Sequence, residues 1–596
     1  GMFDTFQQLP QKTWQRLEAS WAGTFYREVF CRIEESTFAS LYSDQPSRPN
    51  SPINSLVGAE ILKAGFGWSD EVMFEQILFT VQVRYALGLR DMSTVPFDLR
   101  TLYNFRQRLS GHMQETGENL LEKVFVAVTG EQLASLEVKT GHQRMDSVLV
   151  SSNIRQMTRL HLLVEVVQRV WRMLTEEDQA YYVEVFEPYR KGTAGQYCYR
   201  LKAEEVPEHL APLGQVMHRL LCELEGAYAE QPTYRILQRV FGEHFDLVAG
   251  KAEDSDWAQV RVREDEEQRT GNLQSPDDWD ATYRVKRGQS HRGYVANLTE
   301  TCDPENKVQL ITKVQVDSNL TDDEDLGVEA VPDLKVRTGL AVLWTDGGYA
   351  GPDAEVVFRE HNVMHMPTNL RGRGPEPERM GLASFAWGFD ESDVPESVHC
   401  PGGQRVAVRD GHKPGRFLFD FDASVCEACP RADQCPSEPR KRRPVRVLRA
   451  PLRAVQVARL RQRAAWARKP GNNRRSAIES TVRSVTHPFG CQSGKLPVRG
   501  RIRVTQVIIC SALMVNLRRI WRHERELAEK KGQDLVSLLS RAWLHPRTSN
   551  HVQTEQPQPP QHHKIPKTKK KSKQPKPPNT QTQQKHTKHT KTTKKK

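Results

Sequence analysis

Three acidic residues stand where a folded chain could bring their carboxylates together. Asp146 lies within the strand-like run 145–150, and Asp346 directly follows the apolar run 341–345. Glu479 lies in a helical pattern, one turn after Arg475. Carboxylate oxygens are the ligands that Mg²⁺ prefers, and two such ions about 3.5–4 Å apart can cleave and transfer a phosphodiester bond. The alternative is a turn or a helix cap, the more common role of an Asp after a strand.

Four of the ten cysteines cluster between residues 400 and 435. Cys426 and Cys429 form a Cys-x-x-Cys pair that can chelate one ion. Cys435 and Cys400 could complete a tetrahedral Cys₄ zinc site, with His399 as a substitute for Cys400. Without a signal-peptide pattern, so many cysteines indicate a reducing compartment, where close pairs bind metal more often than they form disulfides. A small lobe without a sizeable core would depend on that metal for stability; a redox pair or four unligated thiols are the alternatives.

Positive charge is concentrated in two segments. The charges of residues 545–596 sum to +13, whereas the net charge of the whole chain is +12. The charges of the remaining residues therefore sum to −1. Within that remainder, 438–475 carries 14 Lys and Arg against Glu438 alone, whereas 251–280 is acidic. The basic segment favours a nucleic acid partner over a merely solvated face. The tail beyond about 545 has too little apolar content to pack, which predicts disorder.

Helical and strand patterns alternate along the chain, and they predict the elements that would position the carboxylates. Residues 12–125 have helical periodicity, and a second mostly helical stretch covers about 155–245. Strand-like runs before and after that stretch predict a mixed α/β sheet interrupted by a helical insertion at about 155–280, whose last part, 251–280, is an exposed connection. The sequence contains no run of about 18 apolar residues, so it does not predict a membrane span.

Short motifs around the carboxylates resemble those of the Asp-Asp-Glu (DDE) transposases of prokaryotic insertion sequences. The matching blocks are Met145–Asn153, Asn319–Asp322, Thr345–Tyr349 and Arg475–Glu479, with Arg84–Leu89, Phe105–Leu109 and Val515–Ile520 outside the carboxylate motifs. They follow the family's order over residues 84–520. Asn472 and Thr486 depart from the family pattern, in which a Tyr and a basic residue are usual. Contacts to the DNA end at those places could fall to Arg474, Arg483 or His487.

The resemblance implies a ribonuclease-H-like mixed sheet with a helical insertion, preceded by an all-helical N-terminal domain. It implies that Asp146, Asp346 and Glu479 bind two Mg²⁺ or Mn²⁺ ions, cut the element end and join its 3′-hydroxyl to target DNA. Arg475 would grip a phosphate, since a guanidinium can bind two phosphate oxygens at once; the alternative is a helix-surface pair with Glu479. The other predicted DNA contacts are Arg474, Arg483, Arg106 and Arg108, together with Arg100.

Five segments are predicted from these patterns. They are a helical DNA-end-binding domain at 1–135, the first part of the catalytic domain at 136–395, a Cys-rich insertion at 396–440, a basic segment with the catalytic C-terminal helices at 441–544, and the basic tail at 545–596. The expected partners are double-stranded DNA, as terminal inverted repeats and target, and a second copy of the chain. The expected location is the bacterial cytoplasm, at the nucleoid.

Two rival functions remain open at this point. One is a catalytically inactive, transposase-derived DNA-binding protein, and the other is a metal-dependent nuclease that cuts without joining. The intact acidic trio disfavours the first, and the N-terminal helices with the Cys-rich insertion disfavour the second.

Overall fold

Helices occupy the N-terminal part of the chain, where apolar residues recur at helical spacing. In the computed structural model, the α-helices among residues 4–42 and 51–135 are α1 Gln11–Glu18, α2 Trp21–Glu28, α3 Ile53–Phe66, α4 Asp70–Phe79, α5 Val81–Ala86, α6 Leu99–Thr116 and α7 Leu120–Ser135. Ser69 and Asp98 cap α4 and α6, because each side chain accepts a hydrogen bond from the first turn. Gly67 ends α3 with a φ of 69°, a left-handed conformation that suits glycine.

The structure describes residues 4–42, 51–251, 257–372, 378–410, 414–490 and 495–532. The predicted tail 545–596 lies outside the described residues, and so does the end of the predicted segment 441–544. Within the described ranges, every helix is too short or too polar to cross a bilayer.

Strand β1 (His142–Ser151) leads into a first insertion. Its elements are α8 Arg159–Met173, α9 Glu176–Tyr181, α10 Val183–Arg190, α11 Ala194–Tyr199, α12 Val206–Tyr228, α13 Pro232–His244, β2 Phe245–Lys251 and β3 Ala258–Val262. Leu163, Met217 and Leu237 are fully buried in a hydrophobic cluster that belongs to this insertion alone. Since β2 and β3 form an antiparallel hairpin, the insertion is not purely helical.

The acidic stretch 251–280 returns the chain from this insertion to the sheet. The prediction that it is an exposed connection is wrong at its C-terminal end, because Asp278 is only 1% exposed. The Asp278 carboxylate accepts hydrogen bonds from the Tyr294 hydroxyl at 2.5 Å and from the Gly500 backbone N–H at 2.9 Å. It also accepts one from Ser152. Three elements remote in sequence therefore meet at one buried carboxylate.

A six-stranded mixed sheet forms the centre of the molecule. Its other strands are β4 Thr282–Lys286, β5 Gln289–Thr301, β6 Ile311–Ser318, β7 Val342–Thr345 and β8 Met364–Pro367. Helix α14 Asp323–Thr338 lies between β6 and β7 in the chain, and α15 Pro352–Glu360 lies between β7 and β8. β5 pairs antiparallel with β1, β4 and β6. On the other side, β1 pairs parallel with β7, and β7 with β8. The mixed α/β sheet with an insertion after its first strand matches the architecture predicted from the sequence.

A second insertion separates β8 from the C-terminal helices. Its elements are β9 Ala386–Phe389, β10 Pro395–His399, β11 Arg405–Ala407, β12 Arg409–Asp410, β13 Arg416–Asp422, α16 Ala423–Glu427, β14 Glu438–Pro439, β15 Val445–Pro451 and the helix α17 Leu452–Ala467. The strands form two small sheets, β11-β10-β9 and β12-β13-β15-β14. Phe385, Phe419 and Leu448 are buried between them. The Cys-rich lobe therefore has a modest core of its own, which the sequence analysis did not expect.

Two C-terminal helices complete the described chain, α18 Ile478–Thr486 and α19 Arg501–Lys530. One hydrophobic core includes Leu62 of α3, Leu298 of β5 and Leu513 of α19. Helix α3 approaches α19 so closely that a Cβ on Gly65 would lie 2.2 Å from Met514 Cγ. The N-terminal helices and the sheet therefore share a core that is organised around α19.

Candidate active site

The first two acidic residues lie level on neighbouring parallel strands. β1 and β7 pair from His142 with Val342 to Arg144 with Trp344. Asp146 and Asp346 each follow two residues later, so they lie level with each other, although β1 continues past Asp146 to Ser151 whereas β7 ends at Thr345. Asp346 ends its strand in a tight turn, where its Oδ1 accepts a hydrogen bond from the Gly348 backbone N–H at 2.7 Å.

The carboxyl group of Asp146 is largely enclosed by the protein. Its side chain is 13% exposed, and burial raises the pKa of this carboxyl. The charge of Arg475 opposes that effect, whereas the nearby charge of Asp346 adds to it. An ionised Asp146 therefore needs a cationic partner, which is the electrostatic requirement of a metal-binding carboxylate.

Arg475 joins the first and third acidic residues. Its Nη2 donates to Asp146 Oδ2 at 2.8 Å, and its Nη1 donates to Glu479 Oε1 at 3.1 Å. The helix begins only at Ile478, so the prediction that Arg475 and Glu479 lie one turn apart on the same helix is wrong for Arg475. Arg475 lies in the preceding loop, from which its guanidinium reaches β1. It is thus more than a helix-surface partner of Glu479.

A fourth carboxylate and a second arginine, both missed in the sequence, lie at the same edge of the sheet. Asp323 Oδ1 accepts from the Ser147 hydroxyl at 2.6 Å, and Asp323 Oδ2 accepts from Arg371 Nη2 at 3.0 Å. Asp323 directly follows the Asn319–Asp322 block, so its position in the chain was a usable signal. Nothing in the sequence around Arg371 indicates its contact with Asp323.

Two family models match the chain. Residues 15–108 match the family described as Transposase domain (DUF772), and residues 399–521 match the family described as Transposase DDE domain. These matches indicate a DDE-type transposase of an insertion sequence. The second match includes Glu479, whereas Asp146 and Asp346 lie outside both matched ranges. No curated protein and no solved structure matches the chain.

A buried ionic network attaches α18 to the sheet. Glu300 of β5 is fully buried, and its carboxylate accepts from Arg144 Nε at 2.6 Å and from Arg519 Nη1 at 2.6 Å. The Thr481 hydroxyl of α18 donates to the same carboxylate at 2.7 Å. Arg144 also donates to the Arg474 backbone carbonyl at 3.0 Å. One carboxylate therefore positions both the loop that carries Arg475 and the helix that carries Glu479.

The remaining predicted DNA contacts have different surroundings. Arg474 lies beside His142, with its Nη1 3.1 Å from Nδ1 of that ring, and Arg483 and Arg100 are exposed. The Arg108 guanidinium lies 4.9 Å from the centre of the Tyr42 ring.

Arg106 is held among the N-terminal helices by two carboxylates. It donates to Glu60 at 2.7 Å and to Asp70 at 2.6 Å and 2.9 Å. Despite burial, the cations of Arg106 and Lys63 hold the pKa of Asp70 at about 2. The Arg106 charge is therefore matched by carboxylates within the protein.

The four clustered cysteines converge in the second insertion. Cys400, Cys426, Cys429 and Cys435 line one cavity of about 30 Å³. The Gln404 backbone N–H and side-chain amide donate to the sulfurs of Cys400 and Cys426, each at 3.3 Å. His399 is exposed and does not line this cavity. In the part of the chain that the structure describes, no three His, Cys, Asp or Glu side chains are close enough together to form a ready metal site.

Proposed function

We propose that the transposase cuts the ends of its insertion sequence and joins the freed 3′-hydroxyls to target DNA by two-metal phosphodiester transfer. The single observation that carries this proposal is the contact of Arg475 with both Asp146 and Glu479, beside Asp346. Asp146 and Arg475 are more than three hundred positions apart in the chain, yet their side chains are in contact. Carboxylates and a guanidinium that could bind a phosphate therefore lie together at this site.

We infer further that the catalytic domain is ribonuclease-H-like. Support comes from the placement of the acidic residues, with Asp146 on the first strand of the sheet, Asp346 after a later strand and Glu479 on a following helix. The DNA-end-binding role of the N-terminal helices and the predicted domain boundaries belong to the same proposal. So do a homodimer on DNA and a location at the bacterial nucleoid.

The carboxylates of Asp146, Asp346 and Glu479 would hold two Mg²⁺ or Mn²⁺ ions. Their oxygens are the donors that such hard cations take, and the buried Asp146 carboxylate favours a positive partner. When bound, the ions supply activation of the nucleophile and stabilisation of the leaving oxygen.

Arg475 is the proposed contact to the phosphate at the site. Its Nε–H is buried and has no acceptor among the described residues, so a phosphate oxygen could supply the missing partner. We propose Arg474, Arg483 and Arg108 as further contacts to the DNA backbone. The DNA contact of Arg106 stays a prediction, with Glu60 and Asp70 competing for its guanidinium.

We also propose that Cys400, Cys426, Cys429 and Cys435 hold a structural zinc ion. Four thiols around one small cavity, with amide donors aimed at two of the sulfurs, are a donor set that suits zinc. Burial raises the pKa of Cys426, so the free thiolate is disfavoured there unless a cation stabilises it.

The zinc proposal predicts about one zinc ion per chain in protein purified without chelator. Cys429→Ser should lose the metal and melt at a lower temperature, because a closed four-ligand site contributes to folding. Elemental analysis and thermal melting would measure this, with Cys222→Ser as the control, since Cys222 is exposed outside the cluster. Metal-free native protein whose melting does not respond to zinc would contradict the proposal.

The function itself is tested with the native chain, Mg²⁺ and a duplex that carries the element end, in the presence of a target plasmid. We expect nicking at the end followed by joined products, and neither product in the presence of EDTA. Cutting without joining would favour the stand-alone nuclease. Binding with neither reaction would favour the inactive DNA-binding protein.

A further inference from the structure

The loop after β8 brings a second arginine to the carboxylates. Arg371 donates from Nη2 to Asp323 Oδ2 at 3.0 Å, while its side chain remains 59% exposed. Its other N–H groups have no protein acceptor among the described residues. Within the described residues the guanidinium is thus held at one nitrogen only, which suits the binding of a second anion.

The anchor of Arg371 is built into the active-site edge. The Asp323 side chain is 10% exposed, and its second oxygen accepts from Ser147, the residue next to Asp146. Asp323 lies in the first turn of α14, which begins there. Since the carboxylate is fixed from β1 and from α14, it can hold Arg371 in one place.

Gly348 shows how close this pair lies to the second acidic residue of the trio. A Cβ on Gly348 would come within 2.5 Å of Asp323 Oδ2, 2.7 Å of Arg371 Nη2 and 2.9 Å of Asp346 Oδ1. These three atoms therefore surround one point directly above the glycine. Any larger residue there would push the arginine or one of the carboxylates away.

The carboxylates at this edge would repel the backbone of a DNA substrate, so arginines beside them would favour its binding. Arg475 pairs with Asp146 and Glu479, whereas Arg371 pairs with Asp323. Arg371 comes from a different element, the loop after β8. Two guanidiniums that pair with different carboxylates of this edge could each bind phosphate oxygens of the same strand.

We propose that Arg371 binds a backbone phosphate next to the scissile one, and that Asp323 and Ser147 are the positioning residues that aim it. This inference rests on the proposed transposase function, because the phosphate belongs to the DNA strand that is cut. Arg371 would act as a second phosphate-binding arginine in addition to Arg475.

The test compares Arg371→Ala and Arg371→Lys with a matched control, Arg172→Ala. Arg172 has the same side-chain exposure, 59%, and a single ion pair at 3.3 Å, but lies on α8 in the first insertion. Single-turnover cleavage, DNA affinity as a function of salt, and thermal melting would be measured for each variant. Because each substituted arginine is more than half exposed, we expect only small changes in melting temperature, of similar size in all of the variants.

We expect Arg371→Ala to slow cleavage about 100-fold and to lower the slope of log affinity against log salt by about one phosphate contact. Arg371→Lys should recover the salt slope but only part of the rate, since lysine cannot form a two-point contact. Asp323→Asn should also slow cleavage, but it should change the slope of log affinity against log salt less than Arg371→Ala does.

The outcomes separate this inference from the proposed function. If the native chain cuts DNA and Arg371→Ala behaves like Arg172→Ala in rate and slope, Arg371 has no such role, although the function stands. If the native chain binds the element end without cutting it, the proposed function fails, and the salt slope alone decides whether Arg371 touches phosphate. If no DNA is bound, both ideas are wrong.

Discussion

Asp146→Asn is expected to reduce strand cleavage and joining by more than about 10³-fold while leaving DNA binding intact. The amide cannot supply the anionic oxygen that the proposed metal pair needs, and it also loses the charge that attracts Arg475. Asp346→Asn and Glu479→Gln should have effects of similar size, because the three carboxylates act as one unit. Single-turnover rates with Mg²⁺, and filter binding in Ca²⁺, would measure the two properties separately.

Loss of activity in Asp146→Asn should not come from loss of folding. Because burial raises the pKa of Asp146 above its unfolded value, ionisation at neutral pH costs stability in the folded state. This cost is absent below the unfolded pKa and grows as the pH rises through the folded pKa. The uncharged variant should therefore melt at the same temperature as the native chain or higher at neutral pH.

Asp322→Asn is the matched control for this experiment. Asp322 is an aspartate near the same edge of the sheet, 59% exposed and 3.4 Å from Arg284. Its variant should cut and join normally. If Asp146→Asn cuts and joins as well as Asp322→Asn, Asp146 is not a catalytic carboxylate. If the native chain and both variants bind DNA without cutting it, the inactive DNA-binding protein is favoured.

Glu300→Ala is expected to destabilise the protein by about 3–5 kcal/mol, because removing one partner of a buried ionic network leaves the others uncompensated. Here Arg144 and Arg519 would both lose their carboxylate inside the protein. Thr481 would lose its acceptor as well, which loosens α18 beneath Glu479. Denaturant unfolding would measure the free energy, and single-turnover cleavage would report the position of the helix.

Two further variants make the result specific to the network. Glu300→Gln keeps the size and part of the hydrogen bonding, so its loss of stability should be smaller. Glu305→Ala removes a neighbouring glutamate that is 69% exposed and pairs with Lys139 at the surface, and it should change stability by less than about 0.5 kcal/mol. If Glu300→Ala unfolds like Glu305→Ala, the network does not support α18.

The elements that carry the acidic trio could be recognised from local sequence. The strands predicted around Asp146 and before Asp346 are present in the structure. Such strands can be predicted because the alternation of apolar and polar side chains and the content of β-branched residues are properties of a few consecutive residues. The mixed sheet and its insertion followed from the order of such patterns. The Cys-x-x-Cys pair was equally local, and the four cysteines do line one cavity.

Other features depended on contacts that no local pattern encodes. Helix α18 begins at Ile478, later in the chain than the sequence pattern predicted. Arg475 therefore lies in the preceding loop, from which it contacts Asp146 of β1. Arg106 was predicted from its basic surroundings, yet its charge is matched by Glu60 and Asp70, which lie on α3 and α4. Asp278 belongs to an acidic run but is buried against β5 and the start of α19.

The sequence by itself determined which residue types were available and which strands and helices carried them. Only the tertiary structure decided which charges meet, because partners such as Glu300 and Arg519, or Asp323 and Arg371, lie on different elements. Their approach is set by the packing of strands and helices around α19 and by the turn at Gly348. Electrostatic interactions fall off with distance, and distance across the fold is not a property of sequence spacing.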